Sequence, residues 1–200
     1  MNPKAPRWAW VVATGLGSGC LHPAPGTWGS LAGMAAWCLL SLLLASPFSA
    51  WVLVHRTDPG LAARIYGAEA LFLLAPLAMT WLAVRAADLV VRETGEKDPG
   101  CIVADEWAGM WITLWPMRWE IAQNLHRLWA PGWWRWLPAL LVPFLVFRLL
   151  DVWKPWPVRQ LRALPGGGRV ADHVVAGLYG IPIVMLAAPL VLHALEGYLR

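Results

Sequence analysis

The chain has 200 residues, of which 58% are hydrophobic and only 14% charged, with a mean hydropathy of +0.52. That composition argues against an ordinary soluble domain, whose hydrophobic share is roughly 45–50%. The net charge of +4 is spread along the sequence without a basic face, so it suits anionic lipid head groups better than nucleic acid.

Five apolar segments follow in chain order within what reads as a single domain, residues 1–200. The first runs from Ser30 to Ala45 and continues across Pro47 to Val54. The second is Ala68 to Val91, the third Ile102 to Trp115, the fourth Trp136 to Leu150 and the fifth Val174 to Leu195. A membrane span needs about 20 apolar residues, which the second and fifth segments supply. The third and fourth are short and punctuated by Pro116, Pro138 and Pro143, so they tilt, kink or sit inside the bundle. None alternates as a strand does. The expected fold is all-α, a multi-helix integral membrane bundle with short and kinked helices. Sixteen Trp fit such a chain, because an indole ring is at home at a membrane–water boundary. Cys20, Cys38 and Cys101 show neither a disulfide framework nor zinc spacing.

If all five segments cross, the N-terminus, the loop Arg92 to Cys101 and the loop Asp151 to Asp172 share one face. That face carries eight Lys and Arg against six on the other, which favours it as cytoplasmic. Three polar motifs then meet there. The first, Gly15 to Ala32, is a Gly/Pro stretch whose amides suit an anion at Gly17, Ser18, Gly26 and Thr27, with Thr27 or Ser30 as a helix cap. A plain loop entering a helix explains it equally well. The second motif is acidic. Half of the twelve carboxylates, Asp88, Glu93, Glu96, Asp98, Asp105 and Glu106, fall between positions 88 and 106. Acid at the edge of apolar sequence is costly unless it is paired or binds metal. Adjacent carboxylates such as Asp105 and Glu106 suit Mg²⁺ with a phosphate. The third motif joins Arg148, Asp151 and Lys154 to Asp172 at the opening of the fifth segment, where Asp172 reads as an N-cap or a ligand. Its alternative is a purely structural ion pair. Glu93 is a candidate to join the acidic site.

Together these stretches resemble the phosphatidylglycerophosphatase A family. The matching elements are Gly15-Leu16-Gly17-Ser18-Gly19 through Pro25-Gly26-Thr27 to Gly29-Ser30-Leu31-Ala32; Asp98 through Asp105-Glu106 and Gly109-Met110-Trp111 to Leu114; and Phe147-Arg148 through Asp151 and Lys154-Pro155-Trp156-Pro157 to Arg159, with Asp172 to Gly177. The resemblance covers residues 12 to 180. It implies a multi-pass enzyme of the bacterial inner membrane, its site facing the cytoplasm and its substrate a phospholipid in the bilayer. The implied reaction is Mg²⁺-dependent hydrolysis of phosphatidylglycerophosphate to phosphatidylglycerol and inorganic phosphate. On this reading Asp98, Asp105, Glu106 and Asp172 hold the metal. Arg148, Lys154 and the glycine-loop residues hold the phosphate, and Asp105, Glu106, Asp151 and Lys154 carry the catalysis. Direct attack by water and an aspartyl-phosphate on Asp105 or Asp151 both remain open. Two departures stand out: Ala104 where the family commonly has Trp, and His173 where it commonly has a second acid. Imidazole suits transition metals better than Mg²⁺, so Asp172 is kept as the ligand and His173 as a neighbour. Competing readings are a phosphatase or phosphotransferase for another lipid phosphate, and a non-catalytic membrane scaffold. The sequence sets no oligomeric state.

Overall fold

The computed structural model describes residues 4–54, 61–96, 99–118, 120–121, 137–161 and 168–198, and among these there is no strand. The helices are α1 (Arg7–Ala13), α2 (Pro25–Val54), α3 (Leu61–Thr94), α4 (Ala104–Leu114), α5 (Leu137–Trp153), α6 (Val158–Leu161) and α7 (Gly168–Tyr198), with 3₁₀ turns at Ser18–Cys20 and Trp115–Met117. Pro25 opens α2, a position where the missing N–H costs nothing. Pro76 in α3, Pro143 in α5, and Pro182 and Pro189 in α7 lie inside their helices. Such prolines are tolerated in membrane helices because neighbouring groups satisfy the freed carbonyls. Thr80 Oγ1 donates to the Pro76 carbonyl at 2.8 Å, the back-bond to i−4 of a helical threonine.

Among the described residues, three helices are long and apolar enough to cross a membrane, over Pro25–Leu44, Tyr66–Thr94 and Val170–Ala194. The five-crossing layout is corrected here. The third apolar segment folds as α4, whose 11 residues rise only about 16 Å against a hydrocarbon core of about 30 Å. The 17 residues of α5 rise about 25 Å. The two-face assignment of basic loops, which needed all five crossings, is not retained.

The short α4 is the centre of the bundle. It packs on α7, α3, α2 and α5, and nine of its residues are buried, so apolar sequence that looked like a weak span is core. Close packing of α4 on α7 depends on Gly109 and Gly177. A Cβ on Gly109 would lie 2.6 Å from the His173 carbonyl and 2.5 Å from Phe147, and one on Gly177 would lie 2.6 Å from the Gly109 carbonyl. Small residues that let backbones approach are the usual glue of membrane helices. Thr113 bridges the pair, donating to the carbonyls of Gly109 at 2.9 Å and Gly177 at 3.5 Å. On the α2 side, Trp111 donates its indole N–H to the Gly33 carbonyl at 2.8 Å and its ring meets Trp37 at 5.6 Å. Away from this core, Leu71, Leu74, Leu77 and Trp81 of α3 and Leu186 and Leu190 of α7 are exposed, the pattern of a surface whose solvent is hydrocarbon.

Candidate active site

The packing of α4 brings four helix ends together. The first turns of α2 and α4 supply Gly26 and Asp105 with Glu106, the second turn of α7 supplies Asp172 with His173, and the last two turns of α5 with the residue after it supply Arg148, Asp151 and Lys154. Helix N-termini carry partial positive charge, which favours carboxylates and phosphate, and a helix C-terminus favours cations. Asp105 and Glu106 at the start of α4 and Arg148 and Lys154 near the end of α5 follow that rule; Asp151, in the last turn of α5, does not, and is held by those two cations. Asp105, Asp151, Asp172 and His173 are all buried.

Lys154 follows the last helical residue of α5 and takes a positive φ of 46°, in the left-handed region. Its N–H still bonds the Leu150 carbonyl at 2.8 Å. The turn carries its ammonium to Asp172, with which it forms a short contact, and to Asp151 at 3.6 Å. Arg148 donates to Asp151 Oδ2 at 2.7 Å and to Ser30 Oγ at 3.4 Å. His173 lies between the carboxylates. Its Nε2 is 3.0 Å from Asp151 Oδ1, and its Nδ1 is 2.9 Å from Asp172 Oδ1 and 3.6 Å from Asp105 Oδ2. One ligand atom each from Asp105, Glu106 and His173 fall within 4.8 Å of one another.

Glu106 is the strained member electrostatically. Burial, and then the neighbouring Asp105 carboxylate, push its carboxyl well above the usual range. Its Oε2 is buried with no hydrogen-bond partner among the described residues. For Asp151, burial also pushes upward, but the hydrogen bond and charge of His173, followed by Arg148 and Lys154, outweigh it and hold the carboxyl at about 2. Four carboxylates thus face two permanent cations. An orphaned carboxyl oxygen beside a second carboxylate and a nitrogen donor is a donor set that fits a divalent cation.

Several sequence-derived expectations change. Asp172 is no N-cap, because α7 already begins at Gly168; it is an interior ligand-type residue. His173, kept only as a neighbour, is at the centre. Thr27 and Ser30 do not cap α2, which starts before both at Pro25. Ser30 Oγ instead donates to the Gly26 carbonyl at 2.8 Å and accepts from Arg148. Glu93 does not join the site: its Oε2 accepts from the Ala5 amide at 3.1 Å and the Trp10 indole at 2.7 Å, tying the N-terminal segment to α3. Asp98 lies outside the described residues. Gly26 is beside the cluster, where a Cβ would come within 2.6 Å of Glu106 Oε1. Gly17 and Ser18 line a cavity of about 610 Å³ with Leu16, Ala36 and Trp107, and Ser18 Oγ donates to the Gly15 carbonyl at 2.8 Å. The Thr27 amide bonds the Ala24 carbonyl at 3.0 Å. The signal for His173 was present in sequence, a nitrogen donor next to an acid at the start of an apolar helix, but only packing shows that the helix start faces three other ends.

Fold and site together describe an all-helical enzyme whose buried carboxylate–histidine cluster and two cations are set at converging helix ends, a constellation suited to a phosphate ester. The family model described as phosphatidylglycerophosphatase A matches residues 11–188. Phosphatidylglycerophosphatase A of Escherichia coli K12 is 32% identical over 176 residues, covering 87% of this chain and 80% of that protein. Its namesake in Haemophilus influenzae is 30% identical over 176 residues, covering 87% and 85%. A Bacteroides thetaiotaomicron protein whose name proposes a phosphatidylinositol-3-phosphatase is 32% identical over 178 residues, covering 88% and 91%. No solved structure gives a significant match. The chain belongs to the phosphatidylglycerophosphatase A family, and is accordingly a phosphatase.

Proposed function

We propose that this enzyme removes the terminal phosphate of phosphatidylglycerophosphate at the cytoplasmic face of a bacterial inner membrane, with divalent-cation dependence met in the cell by Mg²⁺. The observation that supports this most is the placement of Arg148 and Lys154 beside the Asp105–Glu106–His173 group, next to where the membrane-length helices α2 and α7 begin. A phosphomonoester head group is anionic and lies at the bilayer surface, where such helix ends belong. Arg148 and Lys154 bind the phosphate oxygens and stabilise the charge that develops on them. Asp151 and Asp172 hold those two cations in place. Asp105 and Glu106, with His173, would hold the metal, which when bound would neutralise phosphate charge and lower the pKa of water at the site. Gly26 leaves room for the Glu106 carboxylate. Water then adds to phosphorus as the phosphate–glycerol bond breaks, and the lipid alcohol leaves with a proton.

A second substrate has one supporting observation, the equal identity to the Bacteroides relative named for an inositol lipid. The test is phosphate release by the detergent-purified protein from phosphatidylglycerophosphate and from phosphatidylinositol 3-phosphate, with Mg²⁺ and with EDTA, for wild type and Asp105→Asn. Metal-dependent release from the first lipid that vanishes in the variant is expected. Release from the inositol lipid alone would transfer the assignment, and release unaffected by EDTA would remove the metal from it.

A further inference from the structure

The two ring nitrogens of His173 have different surroundings. Nε2 points to Asp151 Oδ1 at 3.0 Å, and Asp151 is itself fastened by Arg148 at 2.7 Å. Nδ1 is the nitrogen on the side of Asp105 Oδ2, 3.6 Å away, and of Asp172 Oδ1, 2.9 Å away. A histidine that ligates a metal nearly always donates its other N–H to a carboxylate, which sets the tautomer and the ring orientation. Here Asp151 is that carboxylate. With the proton on Nε2, the Nδ1 lone pair faces carboxylate oxygens at hydrogen-bond range. Acceptors that close repel unless a proton or a cation lies between them. Glu106 Oε2 gives independent support, being buried without a hydrogen-bond partner among the described residues, in a group whose ligand atoms all lie within 4.8 Å of one another.

We infer that His173 binds the metal through Nδ1, positioned by Asp151, and that this nitrogen gives the site a higher affinity for first-row transition cations than for Mg²⁺. The inference rests on the proposed metal dependence of the Asp105–Glu106 pair. The physical reason is donor chemistry. Mg²⁺ demands oxygen ligands and gives up water reluctantly. An imidazole nitrogen adds affinity for Mn²⁺ and more for the later metals, without excluding Mg²⁺ at the higher concentration it needs. Mn²⁺, the weakest binder of that series, is therefore the strictest probe.

The experiment uses the full chain in detergent. Mn²⁺ binding is followed by electron paramagnetic resonance, Mg²⁺ affinity by competition, and ligation by ¹⁴N modulation of the electron spin echo. Wild type should bind Mn²⁺ at least about tenfold more tightly than Mg²⁺ and show ¹⁴N coupling from one imidazole. His173→Asp should lose the coupling and bring the two affinities within about threefold. Bound Mn²⁺ without ¹⁴N coupling in wild type, a result independent of how the variant folds, overturns the inference while leaving the carboxylate site standing. An unchanged preference in a folded His173→Asp does the same. If wild type binds neither ion, or Glu106→Gln binds Mn²⁺ undiminished, the metal reading itself fails and the inference with it.

Discussion

Asp151 interacts with three donors at once: Arg148, Lys154 and His173. Its carboxyl, at about 2, is below the ordinary carboxylate range, so its ionised form stabilises the folded state. That contribution is present above the unfolded value near 4 and is lost as pH falls through the folded one. Asp151→Asn should therefore lower stability at pH 7 by about 2 kcal/mol. The gap to wild type should narrow as pH drops from about 4 towards 2, which thermal unfolding in detergent at stepped pH would measure. A gap independent of pH would mean packing, not charge, sets the cost. Gly26 is the other informative residue. Adding a Cβ there intrudes on Glu106 Oε1 at 2.6 Å, and Ala is a better helix former than Gly. Gly26→Ala should thus keep or raise the unfolding temperature while phosphate release falls by about 10²-fold or more, as expected for a catalytic group misplaced by an ångström. Unchanged release would mean that Glu106 has slack.

At the level of elements, the site depends on how closely α4 approaches α7. The Gly109 and Gly177 backbones leave no room for a methyl group, and both facing atoms are backbone, which cannot swing aside. Gly109→Ala should cost about 1–3 kcal/mol through overpacking, and it should also spread His173 from Asp105, since the clash is with the His173 carbonyl itself. Parallel losses of unfolding temperature and Mn²⁺ affinity would confirm the coupling; a loss of stability alone would break it. Sequence periodicity separated α4 poorly from a membrane span because a buried helix and a lipid-exposed one are both apolar all round. Length was the usable clue, and 11 residues cannot span. The proline breaks and Gly/Pro motifs were legible for a simpler reason: they act through local backbone geometry, which needs no neighbours.

Among the described residues, the polar groups of the site collect at one set of helix ends, Arg118 pairs with Glu69 beyond the other end of α4, and exposed apolar side chains lie along the membrane-length helices. Exposed Trp28, Trp153 and Trp156 are close in sequence to site residues, where interfacial rings would hold the site at head-group depth. Cys20 is exposed beside the same region, whereas Cys38 and Cys101 are only partly so. In sealed vesicles, a membrane-impermeant maleimide should label Cys20 from the cytoplasmic side, with Cys20→Ser as the control. Labelling only from the opposite side would invert the proposed orientation.

Sequence alone determined that this is an apolar helical chain, that its charge is gathered in a few motifs, and which residue types carry the chemistry, because composition, hydrophobic length and motif spacing are local properties. Tertiary structure decided which motifs touch. Asp105, Glu106, Asp151, Asp172 and His173 come from three helices, and their proximity follows from α4 packing on α7 and α5 through small residues and buried aromatics. Glu93 was removed by the same logic, since its partners at Ala5 and Trp10 are more than 80 positions away in the chain. His173 changed from a neighbour to the central residue because a helix position says which face a side chain shares, while only the packed bundle says what that face meets.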